Sequence, residues 1–175
     1  MFTDKQQDDI VELLTSLNNK TKLYFGCDSQ RKKGKDGNWY ATYATILVVH
    51  MDGRKGCRIF SHLDTERDYD KKKNKPAQRL MNEVYRVTTL FNELQPLISG
   101  FDVEIHLDIS TDPINGSNCV AQQAAGYVLG ATGIEAKLKP ESWAASFGAD
   151  GIHRGFNKRK VGDKGKWFKK KKIAR

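Results

Sequence analysis

The sequence predicts an α/β domain built on a mixed five-stranded sheet, three antiparallel strands followed by parallel ones, with helices on both faces. Three observations carry this. Leu23–Asp28, Trp39–Met51 and Cys57–Leu63 are apolar runs rich in aromatic and β-branched residues, joined by short links, which is the pattern of an antiparallel meander. Asp102–Ile109 and Glu135–Lys139 flank a helix-forming stretch, and strand–helix–strand units close as right-handed parallel crossovers. Thr3–Leu17 and Pro76–Leu94 are amphipathic and supply helices to cover the sheet.

The first helix is read from Ile10, Leu13, Leu14 and Leu17 at helical spacing, with Thr3 and Gln6 placed for a capping box and Asp4, Asp8 and Asp9 at the positive helix start. The first strand ends on Asp28. By period two, Leu23, Phe25 and Cys27 point one way, and Tyr24, Gly26 and Asp28 the other. Ser29–Asn38 reads as a basic turn, and Arg31–Lys35 within it as a place to hold phosphates. Asp52-Gly53 is a hairpin signal between the second and third strands. Asp64–Lys75 is too charged to continue the strand and reads as a loop.

Pro76 opens the long helix, a position where its missing N–H costs nothing. The apolar stripe is Leu80, Val84, Val87, Phe91 and Leu94. At 100° per residue Glu83 falls about 60° from Leu80, on the edge of that stripe. It is the acid of this helix that looks towards the sheet, whereas Glu93 lies on the far side. In the fourth strand Glu104, His106 and Asp108 share the face opposite Val103, Ile105, Leu107 and Ile109. A small-residue helix, Ser117–Leu129, follows, and after the last strand Ser142–Gly155 is loosely helical.

A chain of 175 residues is long enough for one domain with a substantial core. It has no run of 18 apolar residues for a membrane span and no apolar leader at Met1–Asn19. Cys27, Cys57 and Cys119 are scattered, which argues against a disulfide framework or a zinc site and suits a reducing, cytoplasmic setting. Charge is unevenly placed. Residues 154–175 hold 11 Lys or Arg against one acid, Asp163, whereas residues 1–153 hold 19 basic and 20 acidic residues. The reading is a folded domain over 1–153 and a basic, flexible tail over 154–175. Phe156, Trp167 and Phe168 are interleaved with the lysines, and cations with aromatics suit a nucleic acid partner. The sequence does not give the oligomeric state.

Carboxylates recur at the ends of elements: Asp28, Glu83, Asp108 and Asp150. Parallel strands ending at one edge can place Asp28 and Asp108 side by side. Converging carboxylates repel unless a hard divalent cation is held among their oxygens, and two such ions about 3.5–4 Å apart can clamp a phosphodiester. Each acid also has a plainer reading: a turn residue for Asp28, a turn or cap for Asp108, a flank residue for Glu83 and a helix cap for Asp150. His106 reads as a packed strand histidine. Asp112 could stand in for Asp108, and Asp64 and Glu66 could be peripheral ligands.

The segments Phe25-Gly26-Cys27-Asp28-Ser29-Gln30, Arg79-Leu80-Met81-Asn82-Glu83-Val84, Glu104-Ile105-His106-Leu107-Asp108-Ile109 and Lys137-Leu138-Lys139-Pro140-Glu141-Ser142, with Ala144-Ala145-Ser146 and Ala149-Asp150, resemble in their order the ribonuclease H-like superfamily, and within it the YkuK-like family. The resemblance covers roughly residues 4 to 153. It implies the RNase H-like fold and metal-dependent phosphodiester cleavage, with Asp28, Glu83, Asp108 and Asp150 as the carboxylate cluster around Mg²⁺ or Mn²⁺, two ions in number. The chain departs from the common pattern in two places. The first strand ends Cys-Asp-Ser-Gln rather than Thr-Asp-Gly-Ser, and His153 stands where many relatives carry a second acid. If Asp150 starts a helix, His153 shares its face and is a candidate ligand or proton shuttle. The implied function is a nuclease acting on RNA, DNA or a hybrid. The alternative is a non-catalytic nucleic acid-binding module on the same fold.

Overall fold

Thr3 and Gln6 exchange the two hydrogen bonds of a capping box and start helix α1, Asp4–Thr15, which buries Ile10 and Leu14. The computed structural model describes residues 2–53, 55–70 and 76–153, apart from the side chains of residues 147, 148 and 150. The tail expected at 154–175, the lysines from Lys71 to Lys75 and the side chain of Asp150 lie outside the described residues.

The strands are β1 Lys22–Lys33, β2 Trp39–His50, β3 Cys57–Arg67, β4 Asp102–Ser110 and β5 Lys137–Lys139. They form one sheet in the order β3-β2-β1-β4-β5. β1 is central: it pairs antiparallel with β2 and parallel with β4. This is the mixed sheet that the sequence predicts. Helices α2, Ala77–Ile98, and α3, Ala121–Thr132, lie with α1 on one face, where Leu23, Phe25 and Cys27 join Val84, Val87, Leu90, Phe91, Ala124 and Val128 in the main core. The other face receives a π-helical turn, Ala144–Ala149, and a short helix α4, Asp150–His153. There Ala44, Ile46 and Val48 pack on Ala149 and Ile152.

Three elements run four residues or more beyond the sequence reading. β1 does not end at Asp28. Every residue from Lys22 to Lys33 has a partner on β2, down to Lys33 opposite Trp39, and the turn is confined to the residues after it. Cross-strand pairing overrides the turn-like composition of Ser29–Lys33. The parallel pairing with β4, by contrast, stops at Cys27 opposite Leu107. Asp28 therefore stands where β1 loses one neighbour and keeps the other. β3 likewise runs on to Arg67, through the charged stretch read as a loop, because Asp64 and Glu66 are neutralised by Arg86 of α2. Helix α2 continues past Leu94 to the buried Ile98, with Pro96 in its last turn.

Gly26 fixes how closely the second layer approaches. A Cβ there would stand 2.9 Å from the Ala145 backbone nitrogen, so only glycine lets the π-helical turn lie directly on β1. No described helix is long and apolar enough to cross a membrane.

Candidate active site

The parallel ladder between β1 and β4 ends one residue before Asp28 and Asp108. Both point to the face of the π-helical turn. Burial pushes the Asp28 carboxyl up to about 6, and the charge of Asp108 adds to the rise. His153, the Ser29 N–H and Arg79 act in the opposite sense. Asp108 accepts from the Ser146 hydroxyl on Oδ1, and the Lys139 ammonium lies 2.9 Å from the same oxygen. A cleft of about 520 Å³ opens beside it, with Asn115, Lys139 and Ser146 in its wall.

Glu83 comes to the same end of the sheet from α2, as its place on the helical stripe predicts. It is 3 % exposed. Burial raises its ionisation well above the usual carboxylate range, and the charges of Asp28 and Asp108 raise it further. The Ser29 hydroxyl donates to Glu83 Oε1 over 2.5 Å. Arg79, one turn earlier on α2, donates through Nη1 to the Ser29 carbonyl at 3.1 Å and to Ser29 Oγ at 2.5 Å, and lies 3.6 Å from Glu83 Oε1. Its Nε is buried without a hydrogen-bond partner among the described residues. Asp28 and Ser29 are adjacent and face opposite sides of the sheet, so β1 presents polar groups to both layers at this one point.

The C-terminal segment completes the surroundings. Asp150 begins α4. His153, three residues on, places Nε2 3.1 Å from the Asp28 carbonyl oxygen and donates to it in the matching tautomer. His106 is a packed strand histidine. Its Nδ1 accepts the Ala144 N–H at 3.1 Å, so Nε2 carries the proton towards Glu104 Oε2 at 2.9 Å. Burial lowers its pKa, in keeping with a neutral ring that anchors the start of the π-helical turn.

Other acids are committed elsewhere. Asp64 and Glu66 pair with Arg86 at 2.6 and 3.2 Å. Asp112 accepts the Ile114 N–H at 2.9 Å, as a turn aspartate. Arg31 of the expected phosphate-holding turn pairs with Asp68 at 2.6 Å and donates to the Asp70 carbonyl. Sequence reasoning assigned no role to Arg79, Ser146, Lys139 or Asp70. Arg79 was accessible from its i,i+4 spacing to Glu83. Asp70 accepts the N–H groups of Gln78 and Arg79 at 3.1 and 2.8 Å and so caps α2 from outside the helix.

Among the described residues no group of three or more His, Cys, Asp or Glu side chains forms a ready-made metal site. The chemistry of the donor set nevertheless suits a hard divalent cation. The carboxylates offer oxygen ligands, and the mutual charge that helps to raise Asp28 and Glu83 is what a cation between them would relieve.

The family model described as ribonuclease H-like matches residues 6–154. No curated protein and no solved structure matches the chain.

Proposed function

The chain belongs to the ribonuclease H-like family, and from that premise we propose that it is a divalent-metal-dependent nuclease that hydrolyses phosphodiester bonds of nucleic acid. The observation that supports this best is that Asp28, Glu83 and Asp108 stand at the one end of the sheet where β1 and β4 part, near enough for their charges to act on one another and push Asp28 and Glu83 towards protonation. Asp28 and Asp108 would be the central ligands of Mg²⁺ or Mn²⁺, with Glu83 and Asp150 completing one ion each. A pair of such ions supplies an activated water and a stabilised leaving oxygen.

The chain's own residues do the rest. Ser29 and Arg79 hold Glu83 in orientation. Lys139 and Ser146 hold Asp108. His153, whose Nε2 is committed to the Asp28 carbonyl, keeps Nδ1 for accepting and returning a proton. The basic residues of 154–175 hold backbone phosphates. The motif order points more narrowly to the YkuK-like branch of the family.

A second reading, a non-catalytic nucleic acid-binding module, is favoured by the ion pairs that Arg79 and Lys139 already make with Glu83 and Asp108. Two measurements separate the readings. Labelled single-stranded, double-stranded, hybrid and branched substrates are incubated with Mn²⁺, and the nuclease reading requires cleavage that disappears in Asp28→Asn. Calorimetric Mn²⁺ titration should show binding that Asp28→Asn and Asp108→Asn remove. Cleavage that survives Asp28→Asn overturns the site assignment, and absence of both cleavage and Mn²⁺ binding leaves the module.

A further inference from the structure

The face of the sheet that carries Asp28 is only partly covered among the described residues. The π-helical turn and α4 lie over Gly26, Ala44, Ile46 and Val48, and the described chain ends at His153, beside the Asp28 carbonyl. Beyond that point β1 and β2 continue to the Lys33–Trp39 pair and β3 to Arg67. Directly opposed residues on neighbouring strands share a face. The register therefore sets Asp28, Ala44 and Leu63 in one row, Gln30, Thr42 and Thr65 in the next, and Lys32, Tyr40 and Arg67 in a third. Gln30, Lys32, Leu63, Thr65 and Arg67 are exposed. Tyr69, 61 % exposed, lies under the Arg67 guanidinium, 5.3 Å from ring centroid to Cζ.

Charge on the two faces is segregated. Asp64, Glu66 and Asp68 fall on the opposite side, where Arg86 and Arg31 pair with them. Asp36 touches the third row from the hairpin tip, and its carboxylate is taken up by Asn38 and the Tyr40 hydroxyl. What remains is a half-open strip that begins at Asp28, Ala44 and the exposed Leu63 and continues through Gln30, Thr42 and Thr65 to Lys32, Tyr40 and Arg67. Residues 154–175, which follow His153 in the sequence, carry 11 cations and one acid. Like charge disfavours their covering Lys32 and Arg67, whereas a polyanion is attracted by both.

We propose that this open face is the track along which a single-stranded nucleic acid enters the Asp28–Asp108 fork. Unpaired bases stack on Tyr69 and Tyr40, and phosphates meet Lys32 and Arg67. Stacking on the exposed Tyr69, just past the end of β3, and on the half-buried Tyr40 of β2 needs bases free of a partner strand, which is why single strands are the class it fits. The inference rests on the nuclease reading for its direction, since it supplies that site with its substrate class.

The test is binding by the full chain in divalent-free buffer, read by fluorescence anisotropy with a labelled oligodeoxythymidylate and a blunt duplex of equal length. Lys32→Glu with Arg67→Glu should weaken single-strand binding about tenfold or more and flatten its salt dependence. Tyr69→Ala should weaken it about fivefold or more, the low end of a stacking contribution, and leave duplex binding unchanged. Lys5→Glu on α1 is the control. Unchanged single-strand affinity in these variants, or an equal loss for duplex, overturns the proposal. Photo-crosslinking of the unaltered chain to an oligonucleotide carrying 5-iododeoxyuridine should label Tyr69 or Tyr40. Adducts confined to residues 154–175 overturn the proposal. Because no cation is present, a chain that binds in this way and never cleaves defeats the nuclease reading alone. A chain that cleaves while Tyr69→Ala binds normally defeats this inference alone.

Discussion

Ser29 Oγ donates to Glu83 Oε1 over 2.5 Å and receives Arg79 Nη1 at the same distance, so one hydroxyl joins the central strand to α2 at the carboxylate cluster. Ser29→Ala removes a donor from an almost fully buried carboxylate. The expected cost is about 1–3 kcal/mol, read as a lower urea midpoint at pH 7, with weaker Mn²⁺ binding by calorimetry. Stability and Mn²⁺ affinity equal to wild type would show that the contact contributes nothing.

Asp28 gives a pH signature. Its ionisation, about 6, lies above the ordinary 3.8, so the native state binds this proton more tightly than the unfolded chain. The stability that results is fully present below about pH 4 and is lost as pH rises through about 6. Metal-free protein should therefore lose up to about 3 kcal/mol between pH 4 and 7, and Asp28→Asn should remove that part of the slope. Denaturation at a series of pH values checks this, and identical slopes in the two proteins would refute it. Cation binding needs the ionised carboxylate, so cleavage should fall below about pH 6.

Arg79 cannot be replaced by another cation. Its Nη1 alone reaches both Ser29 oxygens and lies near Glu83, and the rigid guanidinium fixes where that nitrogen stands, which a lysine ammonium on a flexible stem does not. Arg79→Met and Arg79→Lys should each destabilise the protein by about 2–3 kcal/mol. That is below the usual cost of breaking a buried pair, because the Arg79 side chain remains 17 % exposed. Chemical denaturation measures this, and a lysine variant as stable as wild type would rule out a geometric role.

Gly26→Ala places a methyl against the Ala145 backbone. The π-helical turn must retreat, taking Ser146 away from Asp108 and His153 away from the Asp28 carbonyl. Overpacking of this kind costs about 1–3 kcal/mol. A thermal melt should show the loss, and the His153 ring resonances should shift. An unshifted imidazole with a wild-type melt would mean that the close approach has no consequence.

Periodicity made much of this legible from the sequence. Period two placed Leu23, Phe25 and Cys27 against α2, and period 3.6 turned Glu83 inward, because both are local consequences of backbone geometry. The antiparallel meander of the first three strands followed from their short links. What was not legible depends on partners distant in the chain. Ser29–Lys33 has the composition of a turn, yet β2 holds it as strand. Asp64 and Glu66 look like loop residues until Arg86 neutralises them. The bond from Arg79 to Ser29 and the capping of α2 by Asp70 join residues with no shared period. Asp28 itself was found, but as the end of a strand rather than the place where a strand keeps one neighbour and loses the other.

That parting of β1 and β4 also bears on the order of assembly. The β1–β2–β3 meander is made of hairpins close in sequence, whereas pairing β1 with β4 closes a long loop, a costlier contact that is expected to form later. Asp28 and Asp108 are brought side by side by that non-local pairing, and Ser146 and His153 reach them from further along the chain still. A chain lacking its last third could therefore pair the hairpin strands and still lack the surroundings that Ser146 and His153 give to Asp108 and Asp28.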